Sequence, residues 1–346
     1  MEKNKKGRKD SYTTILVMLM ISIVITASIG IVAFRIYIGN FKKTMDSTSY
    51  SQYYVMIVDD RKSSFWQSTY QGAYEAGIEE NVYVDLLGDN LSSEYTKEDL
   101  MRIAIASGVD GIIVAADESE EMLKLIDEAA EEGIPVVTLY GDNVHSRRCS
   151  FVGVGNYNLG REYGRQVLKI VEDAEEPQNV AVLVNAYAQD SGQNIVCSGI
   201  QETIDMEKKE GTQIELSLVS IDDTNAFSVE ESIRDIFMEE EIPDIIICLN
   251  ELNTTCVYQA VIDYNKVGQV NILGYYDSDT IMKAIERNVI YATVSVDTAQ
   301  MGKYCIDALT EYYELGYTSQ YFTTDITLIH KDNVSEYLGG GNEDEE

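Results

Sequence analysis

Apolar residues along this chain fall into two patterns, short runs and longer stretches at helical spacing, and from residue 53 onward the two alternate. Apolar runs recur at Tyr53 to Val58, Val82 to Leu87, Gly111 to Val114, Pro135 to Leu139, Phe151 to Val154, Val180 to Val184, Ile214 to Val219, Ile245 to Leu249, Ile272 to Leu273 and Tyr291 to Val296. A run with no polar face predicts a strand covered on both sides. Helical patterns separate most of these runs. From Glu120, the residues Met122, Leu125, Ile126, Ala129 and Ala130 share one side, and the pattern stops at Gly133 before Ile134-Pro135. A later helix is expected to open with Ser228 and Glu231 at capping-box spacing. Alternation of this kind predicts an α/β protein with mostly parallel sheets under helices. About ten strands over some 286 residues exceed one compact unit, so two lobes are expected. The segments GVDGIIVAADE at 108–118 and EIPDIIICLNE at 241–251 echo one another: each is turn, Asp, strand and then a carboxylate.

The first run opens the stretch on which the rest is organised. It reads as strand, polar loop and helix, the start of a βαβ unit, and ligands of open α/β sheets sit at the carboxyl ends of strands. Here that end carries Asp59, Asp60, Ser63, Phe65 and Trp66, the last being the only tryptophan in the chain. Two large rings in a polar loop suggest a flat surface for a ligand to lie on. The other strand ends add Asp117, Tyr140, Asp142, Asn250, Tyr275, Tyr276, Asp277 and Asp297. Carboxylates and amides accept from hydroxyl groups and rings cover apolar faces, which suits a polyol or sugar. Asp, Asn and Ser at strand ends also cap the following helix, so each has a structural role open to it.

The start of the chain has a different pattern. Lys3, Lys5, Lys6, Arg8 and Lys9 precede a charge-free run from Tyr12 to Phe34. Twenty apolar residues in a helix cover roughly the 30 Å of a hydrocarbon core. The basic cluster places the N-terminus in the cytoplasm and the residues beyond the apolar run outside the cell. The segments expected are a cytoplasmic basic tail (1–14), a transmembrane anchor (15–38), a linker (39–52) and, at the far end, a disordered acidic tail (339–346). A cleaved signal peptide is the rival reading, with an apolar run longer than the roughly 7 to 15 residues usual for one. Charge divides at the same boundary: residues 1–43 hold 8 of the 26 basic and 2 of the 59 acidic side chains, which leaves 18 and 57 beyond it, a formal charge of −39. Such a surface repels nucleic acid and anionic lipid.

Five cysteines at 149, 197, 248, 256 and 305 form no Cys-x-x-Cys and no legible disulfide framework, although the spacing leaves a Cys248–Cys256 bridge open. With only His145 and His330, a zinc site lacks its usual ligands, and no metal or cofactor is expected. No phosphate loop, dinucleotide loop or nucleophile elbow is present, so the chain is not expected to be an enzyme.

Six pieces in order, FWQSTYQGAYEAG, IASGVDGIIV, EEGIPVVTLYGD, FVGVGNYNLGREYG, ILGYYDSDTIMKAI and ATVSVDTAQMGKYCIDAL, span about 53 to 338 and resemble the type I periplasmic binding proteins. The likeness is to the ribose- and galactose-binding branch, whose fold also forms the ligand core of lac-repressor-type regulators. It implies two similar doubly wound lobes, 53–154 with 297–325 and 155–296 with 326–338. Three crossings, near Val154-Gly155, Val296-Asp297 and Thr324 to Ile326, join the lobes, and the family closes on a small molecule by hinge motion. By the same likeness Phe65 and Trp66 match the rings that stack on the sugar, and Asn250 a polar strand-end ligand. Elsewhere the chain departs from the family. Tyr140-Gly141 and then Asp142 stand where sugar binders carry Asp-Arg, Asn194 stands at the clamping arginine, Tyr276 beside Asp277 at an aspartate, and Val296 beside Asp297 at the hinge glutamine. The expected function is a membrane-tethered extracytoplasmic solute-binding protein that captures a sugar-like molecule for an ABC-type permease or a sensor kinase. The alternative is a surface structural or adhesion protein that reuses the fold without a working cleft.

Overall fold

The computed structural model describes residues 50–89, 95–186, 191–223 and 225–338. The basic tail, the anchor, the linker up to residue 49 and the acidic tail lie outside the described residues. Among the described residues no helix is long and apolar enough to cross a membrane.

Two six-stranded sheets organise the chain. The first lobe opens with β1 (Gln52–Ile57), α1 (Ser64–Glu79), β2 (Val82–Leu86), α2 (Lys97–Ser107), β3 (Gly111–Val114), α3 (Glu120–Glu131), β4 (Val136–Leu139) and β5 (Ser150–Val154). The second continues with α4 (Asn156–Ile170), β6 (Gln178–Asn185), α5 (Ser191–Glu207), β7 (Ile214–Ile221), α6 (Ala226–Met238), β8 (Ile245–Ile247), α7 (Glu251–Asp263), β9 (Asn271–Tyr275), α8 (Asp279–Glu286) and β10 (Ala292–Val296). The chain then passes through α9 (Thr298–Leu315), β11 (Tyr321–Thr324), β12 (Ile326–His330) and α10 (Val334–Leu338). Strand order is β11-β5-β4-β3-β1-β2 in one sheet and β12-β10-β9-β8-β6-β7 in the other, the same winding twice. All neighbours are parallel except β10 and β12. The apolar runs became central strands because helices cover both faces: β3, β4, β5 and β8 are buried at every position.

Three passages join the lobes. After β5 the chain enters α4, which lies on α5 of the second lobe; after β10 it enters α9, which lies on α1 of the first. Asp325 alone separates β11 in one sheet from β12 in the other. Both helix pairs cross at glycines. A Cβ on Gly302 would stand 2.0 Å from the Thr69 carbonyl oxygen, and one on Gly72 2.2 Å from that of Ala299. In the other lobe the same close approach joins Gly160 to Val196 and Gly199 to Tyr157. Only glycine allows backbones so near, and these crossings tie each crossing helix to its new lobe.

Two local readings change. Strands β11 and β12 lie where the sequence showed only a crossing, because they are part-exposed edge strands with no unbroken apolar run. Helix α6 begins before Ser228: Asn225 is its cap, accepting from the Ser228 amide at 3.1 Å, so Ser228 lies in the first turn. All five cysteines are free thiols, which excludes a Cys248–Cys256 bridge.

Candidate functional site

The loops after the strand carboxyl ends of both sheets meet along one seam. Phe65, in the first turn of α1, stands at its centre. Its ring lies 4.9 Å from Trp66, 5.2 Å from Tyr140, 5.3 Å from Tyr276 and 6.1 Å from Tyr275, centroid to centroid. Trp66 also meets Tyr140 at 5.9 Å. Phe65 and Trp66 are only 5% and 6% exposed, and they touch at 89°. Expected as one stacking wall, the two rings are packed edge to face, with tyrosines from both lobes closing over Phe65. A single apolar cluster thus runs from the first sheet to the second.

Tyr140 and Tyr276 hold equivalent places, one residue past β4 and one past β9, and both adopt left-handed backbone, with φ of 65° and 75°. That conformation costs a non-glycine residue roughly 1 kcal/mol or more and recurs at functional sites. Each sends its hydroxyl to the opposite lobe. Tyr140 donates to the Leu249 carbonyl at 3.0 Å and Tyr276 to that of Ser64 at 3.3 Å.

Carboxylates ring the seam. Asp59 is more than half exposed and pairs with Lys97 at 2.6 Å. Lys97 also lies 3.7 Å from Asp117 and donates to the Ala115 carbonyl at 3.0 Å. Burial pulls the Lys97 ammonium down, and the two aspartates more than offset it, so its pKa is raised and it stays charged. Asp223, after β7, was not anticipated. Burial, and then the charges of Asp59 and Asp222, push it up to about 6. The Asn250 side-chain amide reaches it at 3.4 Å. Asp277 is raised by burial and accepts from Ser295 at 2.8 Å. These acceptors, beside aromatic rings, suit a hydroxyl-rich ligand. Among the described residues no group of His, Cys, Asp and Glu could hold a metal ion.

The remaining candidates are engaged locally. Asp60 turns back on the Lys62 amide at 2.9 Å and Asp117 on that of Ser119 at 2.9 Å. Asn250 caps α7 through the Asn253 amide at 2.7 Å, and Asp297 caps α9 through that of Gln300 at 2.8 Å. Asn194, matched to the family's clamping arginine, lies exposed in the first turn of α5. Asp142 departs furthest from the expectation. It forms a two-pronged pair with Arg148, whose Nη2 is 2.7 Å away, and accepts from Thr138 at 2.7 Å and from the Asn143 amide at 2.8 Å. Arg148 is 8% exposed and lies over Phe151 and Tyr321, so Asp142 balances a buried cation instead of facing the seam.

Ser63 does not cap α1 with its own oxygen. It donates to Glu251 of the other lobe at 2.9 Å; Ser64 also donates to that carboxylate, and the Phe65 amide approaches it at 3.4 Å. Glu251, with Glu118 and Asp223, escaped the sequence reading. The one signal was the echo of 108–118 and 241–251, which ends on Glu118 and Glu251.

Comparison with known proteins places this geometry. The family model described as a periplasmic binding protein domain matches residues 54–316. No curated protein matches the chain. GanP, a glucose-galactose binding protein from Geobacillus stearothermophilus, superposes with a TM-score of 0.70 at 22% identity, over 82% of this chain and 98% of that one. An ABC transporter solute-binding protein from Burkholderia graminis, in complex with D-arabinose, gives 0.71 at 17%, over 84% and 98%. The XylFII–LytSN complex gives 0.66 at 22%, over 81% and 98%. At these identities the likeness is one of fold.

Proposed function

The chain belongs to the periplasmic binding protein family, and from that premise we propose that it captures a sugar or sugar derivative between its lobes and passes it, or its bound shape, to a membrane partner. The observation that carries this reading is the seam itself: two sheets of matching strand order, joined by three passages, bring carboxylates and five aromatic rings to one line of strand ends. Carboxylate acceptors beside aromatic rings support binding of a hydroxyl-rich molecule there. Attachment of the N-terminus to the cell membrane, with the lobes outside, rests on the basic-then-apolar pattern of residues 1–38. Delivery to a permease and signalling through a sensor protein are both compatible with the fold. The D-arabinose complex of one structural neighbour is in keeping with a sugar ligand, and the XylFII–LytSN complex with a protein partner.

A thermal-shift screen of the full chain in detergent against sugars, polyols, nucleosides and amino acids tests capture. A ligand that binds only the folded state raises the melting temperature by an amount set by its concentration over its Kd. A shift with one sugar class is expected. No shift across the panel would favour the second reading, a surface structural protein, which the edge-on contact of Phe65 and Trp66 supports. Deletion then separates the roles: lost uptake of the sugar means transport, and normal uptake with lost gene induction means sensing.

A further inference from the structure

The bonds that cross the seam repeat with the symmetry of the fold. Glu118 stands four residues past β3 and Glu251 four residues past β8, the strands that hold matching places in the two sheets. Glu118 accepts from the amide of Ser191, the first residue of α5, at 2.9 Å. Glu251 accepts from Ser63, Ser64 and the Phe65 amide at the start of α1. Helices α1 and α5 come after β1 and β6, again matching strands. Each lobe therefore sets a carboxylate on the N-terminus of the other lobe's equivalent helix, where free amides and the helix dipole favour negative charge. Neither first turn has an acidic residue of its own. Tyr140 and Tyr276, also at matching places, add one hydroxyl bond from each side.

We infer that Glu118, Glu251, Tyr140 and Tyr276 form a reciprocal clasp that holds the lobes shut without any bound solute. Phe65 packs against both tyrosines, 5.2 Å from the Tyr140 ring and 5.3 Å from that of Tyr276. The closed shape is then the resting state, and it is available to a protein partner before a solute arrives. A solute enters by opening the clasp, and its apparent affinity is reduced by the fraction of molecules open.

Hydrogen–deuterium exchange of the full chain in detergent micelles, with no sugar added, tests this apart from any question of which solute binds. In the wild type, amides at the start of α1 and of α5 are expected to exchange slowly. Glu251→Ala should speed exchange about tenfold at the start of α1 and also at residues 191–195, more than one clasp away, while the sheet cores keep their protection. Tyr140→Phe with Tyr276→Phe removes only two hydroxyls and should have the same distant effect. Wild-type amides exchanging at unprotected rates at both helix starts would overturn the inference. So would a Glu251→Ala effect confined to α1, which is what a simple cap predicts.

Discussion

Replacing Asp142 with alanine separates a structural carboxylate from a ligand-binding one. Its side chain is 14% exposed and that of its partner Arg148 8%. The substitution strands the guanidinium with one remaining bond, to the Gln320 carbonyl at 3.2 Å, and removes the acceptor used by Thr138 and by the Asn143 amide. Breaking a buried pair from one side costs about 3 to 5 kcal/mol, since an uncompensated charge is left behind. For a protein of this size that corresponds to a fall in melting temperature on the order of 10 °C. The assay is thermal unfolding monitored by circular dichroism near pH 7. Asp142→Ala combined with Arg148→Met should recover much of the loss, because neither charge is then buried. A loss under about 1 kcal/mol, or a double variant no better than the single one, would refute the reasoning. An unchanged melting temperature with a vanished sugar-induced shift would return Asp142 to the ligand.

Gly302→Ala forces α9 away from the Thr69 carbonyl and should cost about 3 kcal/mol or more in chemical denaturation. Gly155→Ala, whose Cβ meets nothing nearer than 3.6 Å, should stay within about 0.5 kcal/mol. Asn250→Ala should lose about 1 kcal/mol of stability with the α7 cap and also weaken sugar binding in calorimetry, as its amide faces Asp223; unchanged affinity would leave it a cap alone. Asp223 titrates near 6 in the folded protein, above its value in the unfolded chain, so folding takes up a proton between about pH 4 and 6. The stability this confers is complete below about pH 4 and is lost as pH rises through 6; Asp277 shifts in the same direction. An unfolding free energy higher near pH 5 than at pH 7.5, by on the order of 1 kcal/mol after solvent screening, is expected in chemical denaturation, and Asp223→Asn should flatten that slope.

Much of the architecture is readable along the chain because a strand covered on both faces needs a dense apolar run, and such runs mark the inner strands, as at Tyr53 to Val58 and Ile245 to Leu249. The nucleation of helices by local caps is equally local, as at Thr96 with Asp99. The pieces that place the chain in its family are of this kind, being strand ends and helix starts. β11 and β12, edge strands like β2 and β7, were hidden because YFTT and ITLIH hold no dense apolar run, and their residues alternate between more and less exposed.

The site was half legible for a different reason. Phe65, Trp66, Asp59 and Asn250 announced themselves by lying at strand ends, a consequence of topology alone. What each side chain does there depends on what arrives from elsewhere. Asp142 is claimed by Arg148, six residues on, because a buried guanidinium requires a carboxylate. Glu251 leaves its own lobe for the start of α1, 187 residues earlier in the chain. Local patterning of apolar and polar residues decided the strands, the helices and the doubled winding. Only the apposition of the lobes decided which carboxylates bond across the seam and which stay within their own lobe, because charge and hydrogen-bond partners are chosen by distance in space.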